Sequence, residues 1–68
     1  MFGLELRIAR LRAGLKLFEL ATKAGVEETR LSRIENSRRT PRPDEIHRLE
    51  KVLGVKLPPV EEATNGRP

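Results

Sequence analysis

The sequence predicts an all-α domain, and three observations predict it. Glycine and proline cut the 68-residue chain into segments of helical length. Apolar residues recur within those segments at helical spacing, and no segment alternates with the period of two that a strand requires. A tight glycine joint, Ala24-Gly25-Val26, couples the second segment to the third in the manner of a helix-turn-helix.

Each element has its own justification. Residues 2–13 contain no Pro and, after Gly3, no Gly; they are rich in Leu, Arg and Ala, which favour helix, and Gly14 stops them. Residues 16–24 form a second helix ended by Gly25, and residues 27–35 a third. The run Arg38-Arg39-Thr40-Pro41-Arg42-Pro43 cannot be helical, because each Pro drives its predecessor out of the helical region. Pro43 suits a first helical position, and Asp44 and Glu45 then fall in the positive first turn of a fourth helix. Ile46, Leu49, Val52 and Leu53 continue it at helical spacing until Gly54. After Leu57, Pro58-Pro59 breaks the chain. A further turn is expected over residues 60–63, then a frayed tail at 64–68. Residues 1–57 thus form the domain and residues 58–68 a short C-terminal extension.

Composition narrows the function. Without cysteine there is neither a disulfide nor a thiolate zinc site, and one histidine, His47, is too few for a metal cluster. No Trp or Tyr and only Phe2 and Phe18 argue against a stacking platform for single strands. Phosphate loops, HExxH, GxSxG and EF-hand patterns are missing, and no nucleophile–base pair stands out, so no enzyme, cofactor or metal is expected. The longest apolar run is far short of the ~18–20 residues of a membrane span, and the start lacks a secretory pattern. The expected location is the cytoplasm.

The charge is more informative. Fourteen Lys+Arg against ten Asp+Glu give +4, with a pI near 10.4. The excess is local: residues 29–43 carry Arg30, Arg33, Arg38, Arg39 and Arg42 against Glu35 alone. Such a patch on a small domain points to a polyanion, most often nucleic acid; the plainer reading is a solvated charged loop.

The residues carry a resemblance. Leu6-Arg7-Ile8-Ala9-Arg10, Ala13-Gly14-Leu15, Glu19-Leu20-Ala21, Ala24-Gly25-Val26, Leu31-Ser32-Arg33-Ile34-Glu35-Asn36 and Arg38-Arg39-Thr40-Pro41, with Ile46, Leu49 and Leu53-Gly54-Val55, resemble the lambda-repressor/Cro-like (XRE) helix-turn-helix regulators of bacteria and phages. The match runs ungapped over residues 2–57. It implies a compact bundle of four to five short helices, the second and third forming the helix-turn-helix, with the third in the DNA major groove. It also implies a pair between Arg10 and Glu35; the plainer reading of Arg10 is an exposed basic residue. By the family's register Glu28, Thr29 and Arg33, with Arg30 near, are the base readers, although arginines there also suit phosphate. Lys16, Asn36, Arg38, Arg39 and Arg42 fall where the family tracks phosphate. With Glu35 taken up by Arg10, the DNA-facing surface of residues 29–43 is expected nearer +5 than +4.

The chain departs from the pattern in places. Lys16 stands where Ser or Thr usually caps the second helix, and Leu17 where many members have Gln. Glu27 and Glu28 open the third helix; they suit its dipole but oppose an approaching phosphate, so they either read bases or mark a protein-binding helix.

The first helix has a second apolar face. Phe2, Leu6, Ala9 and Ala13 share the side the family buries, while Leu4, Ile8, Leu11 and Leu15 lie almost opposite. That stripe is either an interface, most simply of a two-fold homodimer, or is covered by Val55, Leu57 and Val60. The expected function is sequence-specific binding of double-stranded DNA by a prokaryotic transcriptional regulator, most simply a repressor that sits on the nucleoid when bound. The rival is a protein-interaction module or antitoxin that keeps the helix-turn-helix as a scaffold for a protein partner.

Overall fold

The computed structural model describes residues 1–60. Among them the chain forms α1 (Phe2–Arg12), α2 (Leu17–Ala24), α3 (Glu28–Glu35) and α4 (Pro43–Leu53), and no strand. A fifth helix is not formed among the described residues. The turn expected over 60–63 and the tail at 64–68 lie, apart from Val60, outside them.

One core is shared by all four helices. Leu6 of α1, Leu20 of α2, Leu31 and Ile34 of α3 and Leu49 of α4 are fully buried, joined by Phe2, Ala21, Ala24 and Val26. Full burial of each large side chain contributes about 1.5–3 kcal/mol. The spacing of Leu20, Ala21 and Ala24, and of Leu31 and Ile34, puts each set on one helical face.

The helix ends are settled locally. At the α2–α3 joint, Val26 N–H donates to the Ala21 carbonyl (3.0 Å) and Gly25 N–H to that of Thr22 (3.3 Å), with Gly25 at φ 70°. These are the two bonds of a Schellman turn. A side chain at that φ would cost about 1–2 kcal/mol, so the joint selects glycine. The same turn closes α1, where Leu15 N–H donates to Arg10 and Gly14 N–H to Leu11. It stops α1 at Arg12 and swings Ala13 outward, so Ala13, expected on the core side, is exposed.

The missing cap at α2 is made good from the other side. Lys16 has no acceptor in its side chain, yet the Glu19 carboxylate accepts the Lys16 backbone N–H at 2.7 Å. That is the acidic half of a capping box. Glu45 does the same for Arg42 at the start of α4 (2.8 Å), ahead of Pro43 in the first turn.

The second face of α1 is divided. Beyond α4 the chain runs back along α1. Leu57 N–H is held by Glu50 Oε2 at 2.8 Å, and Leu57 and Val60 pack on the core. Ile8 and Leu57 line one shallow groove, and Ile8 and Leu15 are half-buried. Leu4 and Leu11 stay outside at 53% and 60% exposure, as does Val55.

Two helices approach closely at Gly3, buried in the first turn of α1. A Cβ there would lie 2.5 Å from the Glu35 carbonyl oxygen and 2.7 Å from that of Ile34. The N-terminal end of α1 therefore rests directly on the C-terminal carbonyls of α3, an arrangement that only a bare backbone permits. Gly3→Ala is expected to lower the melting temperature by roughly 4–24 °C, since overpacking of this kind costs about 1–3 kcal/mol and a domain of this size loses about 4–8 °C per kcal/mol. Thermal unfolding followed by circular dichroism measures it; an unchanged melting temperature would show that α1 and α3 separate freely.

Candidate nucleic-acid interface

Burial sorts the third helix into two faces. Leu31, Ile34 and Glu35 point inward, while Glu28, Thr29 and Arg33 are exposed and Ser32 is half-exposed. Thr29 and Arg33 are four apart and so lie one above the other on the outer face.

The chain after α3 stays against that face. Arg38 N–H donates to the Arg33 carbonyl (2.7 Å) and Ser37 N–H to that of Ile34 (3.1 Å), again a Schellman turn, here with Ser37 at φ 62°. The turn brings the backbone of Arg38 back to that of Arg33. Arg38 and Arg39 then border an open groove of about 540 Å³ with Ser37, Thr40, Pro41 and the first residues of α1. Arg38, Arg39, Arg42 and Lys16 are all exposed. Asn36 is exposed too, but its side-chain amide donates to the Ser32 carbonyl at 2.9 Å, which uses one of its two protons.

Two arginines are placed otherwise, each in a bidentate pair. Arg10 donates from Nε and Nη2 to the Glu35 carboxylate (2.7 and 3.2 Å) and from Nη1 to the Leu15 carbonyl (3.0 Å). Both side chains are largely buried, at 11% and 6% exposure. One guanidinium thus joins α1, the α1–α2 turn and the last turn of α3.

Arg30, expected near the base readers, is engaged elsewhere in the DNA-free chain: its guanidinium grips Glu45 through Nε (2.7 Å) and Nη2 (2.8 Å) and reaches the Thr40 carbonyl at 3.4 Å. The reason is angular: one residue beyond Thr29 lies 100° around the helix, which turns Arg30 out of the outer face toward α4. In the sequence Glu45 stands out only as an acid suited to the helix dipole. The signal for it was local: three residues past Arg42 is where a capping carboxylate belongs.

The surface charge changes accordingly. Glu35 is taken by Arg10 and Arg30 by Glu45, so Arg33, Arg38, Arg39 and Arg42 remain without an ion-pair partner among the described residues. The surface offered by residues 29–43 is +4, not the expected +5. Glu27 and Glu28 stand exposed at the positive end of α3 and make no side-chain hydrogen bond among the described residues. His47 is exposed on α4, and no group of three potential metal ligands gathers among the described residues. No helix there is long and apolar enough to cross a membrane.

A family model described as a helix-turn-helix domain matches residues 1–63. No curated protein matches the chain. Solved structures do. The Bacillus subtilis regulator SinR in its complex with SinI is 35% identical with a TM-score of 0.79; the alignment covers 82% of this chain and 55% of that one. This chain thus spans about half of that protein. SinR, the master regulator for biofilm formation, in complex with DNA gives the same identity and TM-score over 82% of this chain and 90% of that one. The restriction-modification controller protein C.AhdI of Aeromonas hydrophila is 27% identical with a TM-score of 0.78, over 81% and 83%.

The Arg30 pair has a measurable signature. The hydrogen bond from Arg30, aided by the Arg42 amide and opposed by burial, pulls the Glu45 carboxyl down from 4.5 to about 2. A group whose folded pKa is depressed adds stability above its unfolded pKa and loses it as pH falls toward the folded one. The pair is expected to contribute about 2–3 kcal/mol at neutral pH, declining between pH 4.5 and 2. Urea unfolding across that range checks it: Glu45→Gln should be less stable than the parent at pH 6, and the gap should narrow toward pH 2. A gap independent of pH would refute the assignment.

Proposed function

The chain belongs to the helix-turn-helix domain family, in its lambda-repressor/Cro-like form, and from that premise we propose that it is a transcriptional regulator that binds double-stranded DNA sequence-specifically, with α3 in the major groove. The observation that carries the reading is the outer face of α3 continued by exposed arginines that have no ion-pair partner among the described residues, in a chain 35% identical to SinR, which has been solved in complex with DNA.

Arg33 donates two hydrogen bonds to guanine O6 and N7, Glu28 accepts from a cytosine amino group and Thr29 meets a thymine methyl. A bidentate contact is worth about 1–3 kcal/mol of discrimination. Arg38, Arg39 and Arg42, with Lys16 and the remaining amide proton of Asn36, hold phosphates and set the register of α3 without reading sequence. The action is binding alone, with no catalytic step. Both named neighbours come from bacteria, which supports a bacterial cytoplasm as the setting and repression by occupancy as the mode.

The protein acts as a homodimer on a near-palindromic site with half-sites about 34 Å apart. Leu4 and Leu11, the exposed part of the α1 stripe, are the contact between copies. Leu11→Glu is expected to leave the fold intact, because the side chain is 60% exposed, and to shift sedimentation toward the monomer. A folded Leu11→Glu variant that sediments like the parent would place the contact elsewhere.

Selection of bound duplexes from a random DNA pool tests the function. A single recovered motif that survives about 0.15 M salt supports the regulator; weak binding erased by that salt supports the protein-interaction module instead. On the selected site the arginines should separate. Arg33→Ala is expected to relax preference at one base position. Arg38→Ala should weaken binding equally on all sequences and flatten the salt slope by about 0.9. A change confined to sequence preference in Arg38→Ala would overturn the phosphate role of this loop.

A further inference from the structure

We infer that Arg30 and Glu45 form a positioning clamp that holds the basic loop of residues 36–42 at a fixed place on α3 and withholds Arg30 from DNA, so that the pair sets specificity without touching the nucleic acid. The inference rests on the DNA-binding reading above and adds to it a function for two residues outside the contact surface.

The loop is fastened at both ends to the helix it follows. At its start, Ser37 and Arg38 are bonded to the carbonyls of Ile34 and Arg33. At its end, one carboxylate accepts three hydrogen bonds from two residues, Arg42 and Arg30. Glu45 Oε1 accepts the Arg42 N–H (2.8 Å) and Arg30 Nη2 (2.8 Å), while Oε2 accepts Arg30 Nε (2.7 Å). Arg30 Nη2 also reaches the Thr40 carbonyl, and Pro41 between them is buried. Thr40, Pro41 and Arg42 are thus held against a side chain of α3 itself. Glu45 is 5% exposed, so water competes little for these bonds.

Two consequences follow. The span from Arg33, which reads a base, to Arg38, Arg39 and Arg42, which meet phosphate, is fixed by protein bonds before DNA arrives. Phosphate contacts are then made together only when α3 is seated in register. The second consequence is electrostatic. A free Arg30 would strengthen binding to every sequence, since each added phosphate contact raises sequence-independent affinity. Bound to Glu45, it adds nothing there.

Two variants test the clamp. Glu45→Gln keeps size and an acceptor for the Arg42 amide but removes the charge that holds Arg30. Arg30→Met removes the clamp and the freed cation together. Affinity is measured for a specific and an unrelated duplex over a salt series, with cooperative melting as the control for folding. In both variants the specific-to-nonspecific ratio should fall on the order of tenfold, the scale of one lost base contact. Only Glu45→Gln should steepen the nonspecific salt slope, by about 0.9. Equal loss on both duplexes, which a general weakening of the fold gives, or no loss on either, overturns the clamp. Amide ¹⁵N relaxation of residues 38–42 without DNA should show faster motion in both variants; unchanged relaxation also overturns it. A parent protein that selects no duplex would instead overturn the DNA-binding reading, while the relaxation arm still decides the clamp.

Discussion

The seating of α1 on the C-terminal end of α3 is the constraint on which the rest of the domain depends. Gly3 brings the α1 backbone onto the carbonyls of Ile34 and Glu35. Arg10, two turns along the same helix, binds the Glu35 side chain in a fork. Backbone and side chain thus fix α3 against α1 in position and in rotation. The other end of α3 is fixed by the Gly25 turn, which leaves little freedom between α2 and α3. Once rotation is set, Leu31 and Ile34 face the core, and Thr29 and Arg33 must face outward. Breaking the fork from one side would leave a buried charge alone, which costs about 3–5 kcal/mol. The pair therefore acts less as a source of net stability than as a penalty on every other rotation of α3.

Arg30 and Glu45 apply the same chemistry to the next segment. Each pair takes an arginine out of the surface count and fixes a piece of backbone: the α1–α2 turn for Arg10, the loop before α4 for Arg30. The geometry is bidentate in both cases, which lysine could not supply. This fits a chain that carries ten arginines and four lysines. Net charge alone does not distinguish these roles. In the proposed DNA contact the arginines that count are those without an ion-pair partner among the described residues: Arg33 on α3, and Arg38, Arg39 and Arg42 in the loop after it.

The boundaries of α1 to α4 were legible because glycine and proline act locally: Gly14, Gly25, Gly54 and Pro43 end or begin helices through their own backbone geometry. The small error at Ala13 is local too, since the turn that ends α1 consumes it. Arg10–Glu35 was legible only through the family resemblance. Arg30–Glu45 was not legible, because fifteen residues separate the partners and nothing in composition says which of five neighbouring arginines turns toward α4. Gly3 was passed over for a related reason: a close approach between helices leaves no mark beyond one small residue. The stripe on α1 was seen, but its division between Ile8, which lies beside Leu57, and the exposed Leu4 and Leu11 depends on the path taken by residues 55–60.

The arginines of this domain separate by what they hold. Arg10 and Arg30 are engaged by carboxylates and carbonyls, so changing either disturbs the fold around it. Arg33, Arg38, Arg39 and Arg42 make no side-chain bond among the described residues. A surface side chain without a partner can usually be replaced within about 0.5 kcal/mol of stability. The proposed DNA-facing set is therefore nearly independent of the set that maintains the scaffold. The two meet at Arg42, whose backbone N–H is held by Glu45, and in the turn after α3, where Ser37 takes a left-handed backbone at a cost of about 1–2 kcal/mol. The bonds from Ser37 and Arg38 to the last turn of α3 offset that cost. A glycine would adopt the same φ without strain, but it would also open more conformations to a loop whose value lies in having one.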